Sequence, residues 1–367
     1  QADRRVTSGA NASHTWLNTW GGRSVENTVG VQLQNDNIQN GLFRNAARQR
    51  LSTTRQDHIV ESSAGVYVEN RTQWAEKFRT VAGLRGDYYR FDVTSDNPAN
   101  SGVENDTIVN PKLSLIFGPW ARTEYFINAG GGFHSNDARG TTITLDPGAD
   151  IGENLPADRV PGLVRSKGYE VGARSAIVPR LQSSLAVYVL DFDSELVFIG
   201  DAGNTEAGRE SRRIGFEFAN FYTPTSWLTI DADVAFARAR FRGGDSDGAG
   251  DRIPGAVEGV ATLGATVDNL GPYFRAVQLR YFGPRPLIED DSVRSAQTTL
   301  LSARIGYKVT KNLRIALDGF NLLDSEDSQI AYFYTSRLPG EPAEGVDDVH
   351  FHPVESRSFR VSLIANF

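Results

Sequence analysis

Cysteine and methionine are both absent from the 367 residues. Without cysteine there are no disulfide staples, no thiolate metal ligands and no cysteine nucleophile, and the chain suits an oxidising, non-cytosolic setting. Long hydrophobic runs are missing too. The longest, Leu185 to Leu190, falls far short of the ~20 apolar residues that a spanning helix needs, so a helical membrane protein is excluded. Surplus positive charge is also lacking: 38 Lys and Arg face 45 Asp and Glu, a formal net charge of -7, which argues against a nucleic-acid partner. The chain opens neither with Met nor with a charged segment leading into an apolar one, and the expectation is a mature product or an internal fragment.

Against these absences stand 36 glycines, an aromatic content of 10% and a hydrophobic period of two. After Gly22, the residues Val25, Asn27, Val29, Val31 and Leu33 alternate with Glu26, Thr28, Gly30, Gln32 and Gln34, a nearly apolar row back to back with a polar one. Such a strand faces two different solvents. Phe78, Thr80, Ala82, Leu84 and Tyr88 oppose Arg79, Gly83, Arg85 and Asp87 in the same way, and Tyr169, Val171 and Ala173 oppose Glu170, Gly172 and Arg174. Ile214, Phe216 and Phe218 oppose Arg213, Gly215 and Glu217, and at the end Phe359, Val361, Leu363, Ala365 and Phe367 oppose Arg360, Ser362 and Asn366. No comparable amphipathic helical stretch stands out.

About 15 such strands can be counted, and their connectors alternate between short and long. Trp20–Arg23, Trp74–Lys77, Gly118–Arg122, Val178–Arg180, Thr223–Trp227, Asp268–Gly271 and Thr310–Asn312 are short. Asp36–Asp57, Val93–Thr107, Ser135–Leu163, Gly243–Arg252 and Asp324–Val349 are long and rich in Asp, Asn, Gly and Arg. This asymmetry predicts an all-β fold, an antiparallel transmembrane β-barrel with tight periplasmic turns at one rim and extracellular loops at the other. The five tryptophans, Trp16, Trp20, Trp74, Trp120 and Trp227, lie at or near short turns and read as one membrane-interface girdle. Tyr88, Tyr89, Phe133, Tyr281, Phe282, Tyr332 and Tyr334 fall toward the long-loop ends and supply the other; the alternative is that these aromatics fill a soluble core. Charge facing lipid at mid-depth costs on the order of 2 to 4 kcal/mol, so Arg79, Arg85, Asp87, Glu170, Arg174, Arg213, Glu217, Asp231 and Asp233 are expected to face the lumen.

Parity adds an expectation about what precedes Gln1. The last strand and the first visible strand both run toward the periplasmic rim, so the visible number is odd, whereas single-chain bacterial barrels are even. Further strands are therefore expected upstream, making residues 1–367 one partial barrel domain.

Several short segments resemble the barrel of TonB-dependent outer-membrane receptors. They are Ser166-Lys167-Gly168-Tyr169-Glu170-Val171-Gly172, Gly200-Asp201-Ala202-Gly203, Arg212-Arg213-Ile214-Gly215-Phe216-Glu217, Arg280-Tyr281-Phe282-Gly283-Pro284-Arg285-Pro286-Leu287 and Asn321-Leu322-Leu323-Asp324. Trp20-Gly21-Gly22 and Gly132-Phe133-His134-Ser135-Asn136-Asp137 fit the same pattern. The resemblance implies a barrel of about 22 strands, of which about 15 are visible, with the plug domain and the TonB-engaging segment absent from this chain. It implies no enzyme and no cofactor. The function it implies is TonB-energised uptake of a bulky, scarce nutrient, most often a ferric siderophore or other iron chelate. The implied partners are outer-membrane lipid and lipopolysaccharide, the TonB complex through an upstream region, the outer-membrane insertion machinery and the chelate. A passive pore and a soluble all-β binding protein are the alternatives.

Candidate substrate-binding residues are His134, Asn136, Arg139, Tyr332, Tyr334, His350 and His352. His350 and His352 share a strand face, with Asp347 and Asp348 nearby, but no third metal ligand is evident and no metal site is assigned. His134, Ser135 and Asn136 are consecutive, so in a strand they point to opposite faces and cannot converge as a hydrolase triad. Gly130 to Gly132 is followed by no helix and reads as a bend or close approach, not a phosphate cradle. The loop Asp36–Asp57 carries Arg44, Arg48, Arg50 and Arg55 while Asp324–Val349 is acidic, a mixture that selects no ligand charge. Phe367 ends the apolar row and serves as the assembly signal of a last strand. Phe367→Asp is accordingly expected to lower outer-membrane yield and raise periplasmic degradation; unchanged insertion, measured by fractionation and immunoblot, counts against that role.

Overall fold

A computed structural model describes residues 2–47, 49–147, 154–194, 196–199, 204–243 and 248–366. Phe367, Arg48 and the segment Gly200 to Gly203 lie outside the described residues. The strands are β1 (Ala2–Trp20), β2 (Arg23–Ala46), β3 (Gln49–Ala75), β4 (Phe78–Ser95), β5 (Gly102–Trp120) and β6 (Thr123–Ser135), followed by the short helix α1 (Ala138–Thr142). Then come β7 (Leu163–Ser175), β8 (Leu181–Phe192), β9 (Leu196–Ile199), β10 (Asn204–Ala207), β11 (Ser211–Thr225), β12 (Leu228–Phe241) and β13 (Gly259–Leu270). The chain ends with β14 (Tyr273–Phe282), β15 (Thr298–Lys308), β16 (Leu313–Phe320), β17 (Ser328–Ser336), β18 (Val346–Pro353) and β19 (Ser358–Ala365).

Fifteen strands form one sheet in the order β1 to β8, then β11 to β16, then β19, while β9–β10 and β17–β18 are separate two-stranded sheets. The expected strand number is thus met. All seven expected short turns are present, each closing a hairpin of sequence neighbours, which explains the simple order. At the β1–β2 turn Gly21 and Gly22 both take positive φ, 58° and 77°, the two-residue geometry whose twist matches that of paired strands.

Chain contacts group the residues into two compact units, each described separately. One comprises Gln1–Phe117, Ile127–Tyr169 and Leu190–Ser211, and the other Gly118–Phe126, Glu170–Val189 and Arg212–Phe367.

In the first unit the strand register confirms the two-row reading. Val29, Val31 and Leu33 pair with Val68, Val66 and Ala64, and those with Leu84, Gly86 and Tyr88, so one apolar row crosses neighbouring strands and is exposed. Gln32, Gly65 and Asp87 form the opposite row. Near the far end of β2 and β3 the rows change partners: Ile38, Ile59, Phe91, Val93, Ile108 and Leu163 are buried together with Ala138 of α1. Phe91 is completely buried, and Gly162 is required beside it because a Cβ there would meet its ring at 2.5 Å. Burial of one such ring contributes roughly 1.5–3 kcal/mol.

Four expectations need correction. Asp36–Asp57 is not a loop: β2 and β3 continue in register to Ala46↔Gln49, with irregularities at Leu42/Phe43 and Arg44/Asn45. Asp36, Ile38, Asn40, Arg55 and Asp57 are buried at the α1 end of the segment, whereas 44–46 and 49–53 stay exposed and are held as strand by the backbone pairing without any apolar alternation. Val93–Thr107 shrinks to the connector between Ser95 and Gly102, and Asp324–Val349 contains β17 and the start of β18. Tyr89 and Phe133 do not belong to an outer girdle. They pack on the buried cluster, 5.7 Å apart edge to face, because Tyr89 shares its row with Arg85 and Asp87.

In the second unit the apolar row is equally exposed, Ile305, Ile315 and Leu317 on β15 and β16 and Phe359, Val361 and Leu363 on β19, with Val361 75% exposed. Ala46 and Ala75 stand at opposite ends of β3's two hairpins. With no native cysteine, Ala46→Cys is expected to react with an impermeant maleimide on intact cells and Ala75→Cys to stay unlabelled. Equal labelling of both would refute the inside-outside assignment.

Candidate functional site

The strands supply a row of charged side chains, and the i, i+2 spacing along a strand puts neighbours on one face. Arg55 and Asp57 pair at 2.6 Å, and Arg85 grips Asp87 through Nε and Nη2 while also reaching Gln32 at 3.2 Å. Arg90 and Asp92 repeat the spacing at 3.1 Å on the other face of β4, the one that carries Leu84 and Tyr88. The Arg55–Asp57 pair is the deep one, with side chains only 6% and 1% exposed, and it leaves Arg55 Nη2 and Asp57 Oδ1 without a partner. Mutual attraction offsets much of the desolvation of such a pair, whereas removing one member strands the other charge, at roughly 3–5 kcal/mol.

The connector after β6 is held over this row by its own polar groups. Asp137 caps α1 by accepting from the Arg139 N–H at 2.9 Å and forms a two-pronged ion pair with the Arg139 guanidinium. Arg139 Nη1 then donates to Asn40 Oδ1 at 2.9 Å, and Asn40 donates to Asp3 at 3.0 Å. Asn100, 1% exposed, accepts from the Thr144 and Leu145 N–H groups and donates to the Leu145 carbonyl. Together Asp3, Arg5, Asn40, Glu61, Asp137 and Arg139 line a recess of ≈ 150 Å³. Burial pushes the Asp137 carboxyl up, but the Arg139 hydrogen bond and charge and the capping N–H outweigh it and hold it below the ordinary carboxylate range. The same bond raises Arg139.

Of the residues expected to bind substrate, Arg139 lines this recess and Asn136 lies beside α1. Asn136 is buried and donates to the Pro161 carbonyl at 2.7 Å, while its Oδ1 has no partner. His134 does not join them; its ring packs 5.8 Å from that of Phe192. The other four fall in the second unit on the β17–β18 hairpin. Tyr332 pairs with His350, His352 with Ile330, and Tyr334 with Asp348, so these residues share one face, with Tyr334 and His350 stacked at 3.9 Å. Among the described residues, no group of three or more His, Asp or Glu is arranged to hold a metal ion.

The charges expected in the lumen occupy the row opposite the exposed apolar one. Arg79, Arg85 and Asp87 share that row of β4. Arg174, Asp231 and Asp233 converge with Arg122 and Glu124 on a recess of ≈ 590 Å³ in the second unit, and Arg174 lies over the buried Phe126 ring. Glu170 shares the Arg174 row; Arg213 and Glu217 flank Gly215, where a Cβ would stand 2.7 Å from the Tyr188 hydroxyl. The tryptophans keep to the strand ends, with Trp20 and Trp74 edge to face at 6.2 Å, Arg23 above Trp74, and Trp120 6.2 Å from Tyr125. Trp16 shares the Trp20 face of β1, and Trp227 is half-buried one residue before β12.

Sequence reasoning missed Asp3, Asn40 and Glu61; Asn40 and the start of the strand that carries Glu61 fall in the segment it reads as a loop. It also missed Asp318, which sits between Arg304 and Arg360 on adjacent strands and pairs with both, at 2.5 and 3.5 Å. The repeated Arg-x-Asp spacing was a readable signal for the same-strand pairs; nothing local marks a pair across strands.

Asp137→Asn is expected to loosen α1. A carboxyl depressed in the folded state stabilises fully above its unfolded value and loses that contribution as pH falls through the lower folded value. Amide exchange across Ala138–Thr142, corrected for intrinsic rates, should rise roughly 10-fold or more at pH 7 for the variant, as for loss of a charged hydrogen bond. In the unsubstituted protein it should rise only below about pH 4; identical exchange in both proteins at pH 7 excludes this role for Asp137.

A sequence model for the family described as TonB dependent receptor-like, beta-barrel, matches residues 1–322. None of the curated proteins matches. Among solved structures, the ferric-catecholate import receptor Fiu of E. coli K12 in its closed form superposes with a TM-score of 0.73 at 16% identity, over 100% of this chain and 55% of that one. The ferric yersiniabactin uptake receptor FyuA of Yersinia pestis gives 0.70 at 13%, over 100% and 55%. The siderophore receptor PiuA of Acinetobacter baumannii gives 0.70 at 15%, over 99% and 56%. At these identities the likeness is one of fold, and the chain spans about half the length of the structures it matches.

Proposed function

Because the chain belongs to the TonB-dependent receptor β-barrel family, a family of outer-membrane transport receptors, we propose that it forms barrel strands of a receptor that takes up an iron chelate, in particular a ferric siderophore, with energy delivered through TonB. The observation that carries the reading is an exposed apolar row backed by a charged one, found in each of the two units of a chain whose main sheet has fifteen strands. That pattern suits a hydrocarbon solvent outside and a polar interior. Two of the structures that it resembles are receptors for ferric catecholate and ferric yersiniabactin, which supports iron chelates as the substrate class.

In the proposal, further strands and a plug encoded upstream complete the receptor. Support comes from the sheet itself, where β1 pairs only with β2 and β19 only with β16 among the described residues. An unpaired backbone group in hydrocarbon costs several kcal/mol, so each outer strand calls for a partner. The recess around Arg139 and the Tyr332/Tyr334/His350/His352 face are the proposed ligand contacts. The lumen-row charges hold the plug and its water.

Uptake of radiolabelled ferric chelates by cells carrying the full-length protein tests this. Uptake is expected for at least one chelate, to vanish without TonB, and to fall for Tyr334→Ala with His350→Ala at unchanged outer-membrane abundance. TonB-independent uptake, or steady open-channel conductance of the full-length protein in planar bilayers, overturns it in favour of a passive pore.

A further inference from the structure

Histidine is scarce, 5 in 367 residues, and two of them stand together on the β17–β18 hairpin. His350 and His352 are two positions apart on β18, so both side chains leave from one face, which Asp348 shares. Opposite them on β17, Tyr334, Tyr332 and Ile330 pair with Asp348, His350 and His352 in turn. Asp347 belongs to the other face, where the Thr335 hydroxyl donates to it. The hairpin is fastened at its base to β15, with Thr298 Oγ1 donating to the Ser328 carbonyl at 2.8 Å and the Thr299 N–H to Asp327 Oδ2 at 3.0 Å.

His350 is oriented from two sides. Its ring lies 3.9 Å from that of Tyr334 with 17° between the planes, and its Nε2 is 3.3 Å from the Tyr334 carbonyl oxygen. A carbonyl only accepts, so Nε2 carries the proton and Nδ1 keeps its lone pair. A metal-ligating imidazole is arranged in this way, its second nitrogen donating to a carbonyl that fixes the tautomer. His352 is exposed, and its ring has no hydrogen-bond or ionic partner among the described residues. Two Cβ atoms at this spacing lie about 7 Å apart, a gap that two imidazoles close by leaning toward one ion about 2 Å from each nitrogen. Asp348 is about 13 Å along the strand from His352 and does not reach the same ion, in keeping with the absence of a three-ligand group among the described residues.

The donor chemistry selects the ion. Two neutral nitrogens suit a late transition metal, whereas Ca2+ and Mg2+ require oxygen shells. With neither Cys nor Met in the chain nothing favours Cu+, and the order of divalent affinities places Cu2+ above Ni2+ and Zn2+. We propose that His350 and His352 form a two-imidazole site for a divalent late transition-metal ion, Cu2+ held most tightly, with water filling the remaining positions. The proposal goes beyond the iron-chelate reading, because this ion is held by the protein's own side chains and not through a chelator.

The full-length protein, purified in detergent without a histidine tag, is titrated with Cu2+, Ni2+, Zn2+ and Ca2+ by calorimetry. Electron spin-echo envelope modulation of the Cu2+ form counts the coordinated imidazoles. A Cu2+ site with two imidazoles is expected. His352→Ala, at an exposed position, should weaken it roughly tenfold or more and leave one imidazole. His350→Gln with His352→Gln, which keeps polar side chains on the face, should abolish it. Tyr334→Phe retains the stacked ring and should leave the affinity unchanged, while Tyr334→Ala frees the His350 ring and should lower it. A two-imidazole signal that survives either histidine variant, equal affinity in His352→Ala, or Ca2+ held as tightly as Cu2+ each overturns the proposal. Because metal binding by the purified protein is the readout, the result is independent of whether ferric-chelate uptake is observed.

Discussion

The antiparallel hydrogen-bond ladder is the interaction on which everything else here depends. In hydrocarbon no water is available to the backbone, so each N–H and C=O has to be paired within the sheet, and hairpins joined by tight turns achieve this with sequence neighbours. Once the ladder is set, the pleat assigns every side chain to a face, and a register such as Val31↔Val66↔Gly86 carries one row across three strands. The exposed valines and leucines that would mark a faulty soluble protein are the consequence of this assignment.

The opposite row has another problem, because charges placed there are partly withdrawn from water. They are neutralised in short steps along and across strands: Arg85 with Asp87 along β4, and Asp318 with Arg304 and Arg360 across three strands. Where the connector after β6 folds back, the withdrawal becomes nearly complete, and a small apolar core around Phe91 forms beside the Arg55–Asp57 and Asp137–Arg139 pairs. The core supplies non-directional adhesion and the ion pairs supply position. The ordered rim recess therefore grows from the same strands that carry the sheet.

A second charge device sits in the loops after β12 and β14. Arg252 and Arg294 each pair with both Glu258 and Asp291, which makes a closed ring of two cations and two anions. The ring is neutral within itself and ties two separate loops together without drawing on the β17–β18 hairpin. Arg285, 6% exposed in the Arg280–Leu287 segment, instead donates to the Gln329 carbonyl at 3.4 Å, and burial lowers its proton affinity. That segment thus acts as a strut between a loop and the hairpin, a role its sequence does not announce.

Legibility followed the range of the cause. The period of two, the seven short turns, the strand number and the membership of each apolar row were readable because each depends on residues a few positions apart and on which solvent they meet. The family resemblance was readable for the same reason, in short segments such as Arg212 to Glu217. Tertiary structure decided what depends on residues far apart in the chain. It converted Asp36–Asp57 from loop to strand, because the pairing of β2 with β3 runs on to Ala46↔Gln49, past the point where the apolar alternation by which strands are recognised stops. It turned Tyr89 and Phe133 inward, joined Arg139 to Asn40 across 99 positions, and parted His134 from Asn136. Local solvent preference is written along the chain one residue at a time, whereas the burial of a polar side chain depends on which distant segment comes to cover it.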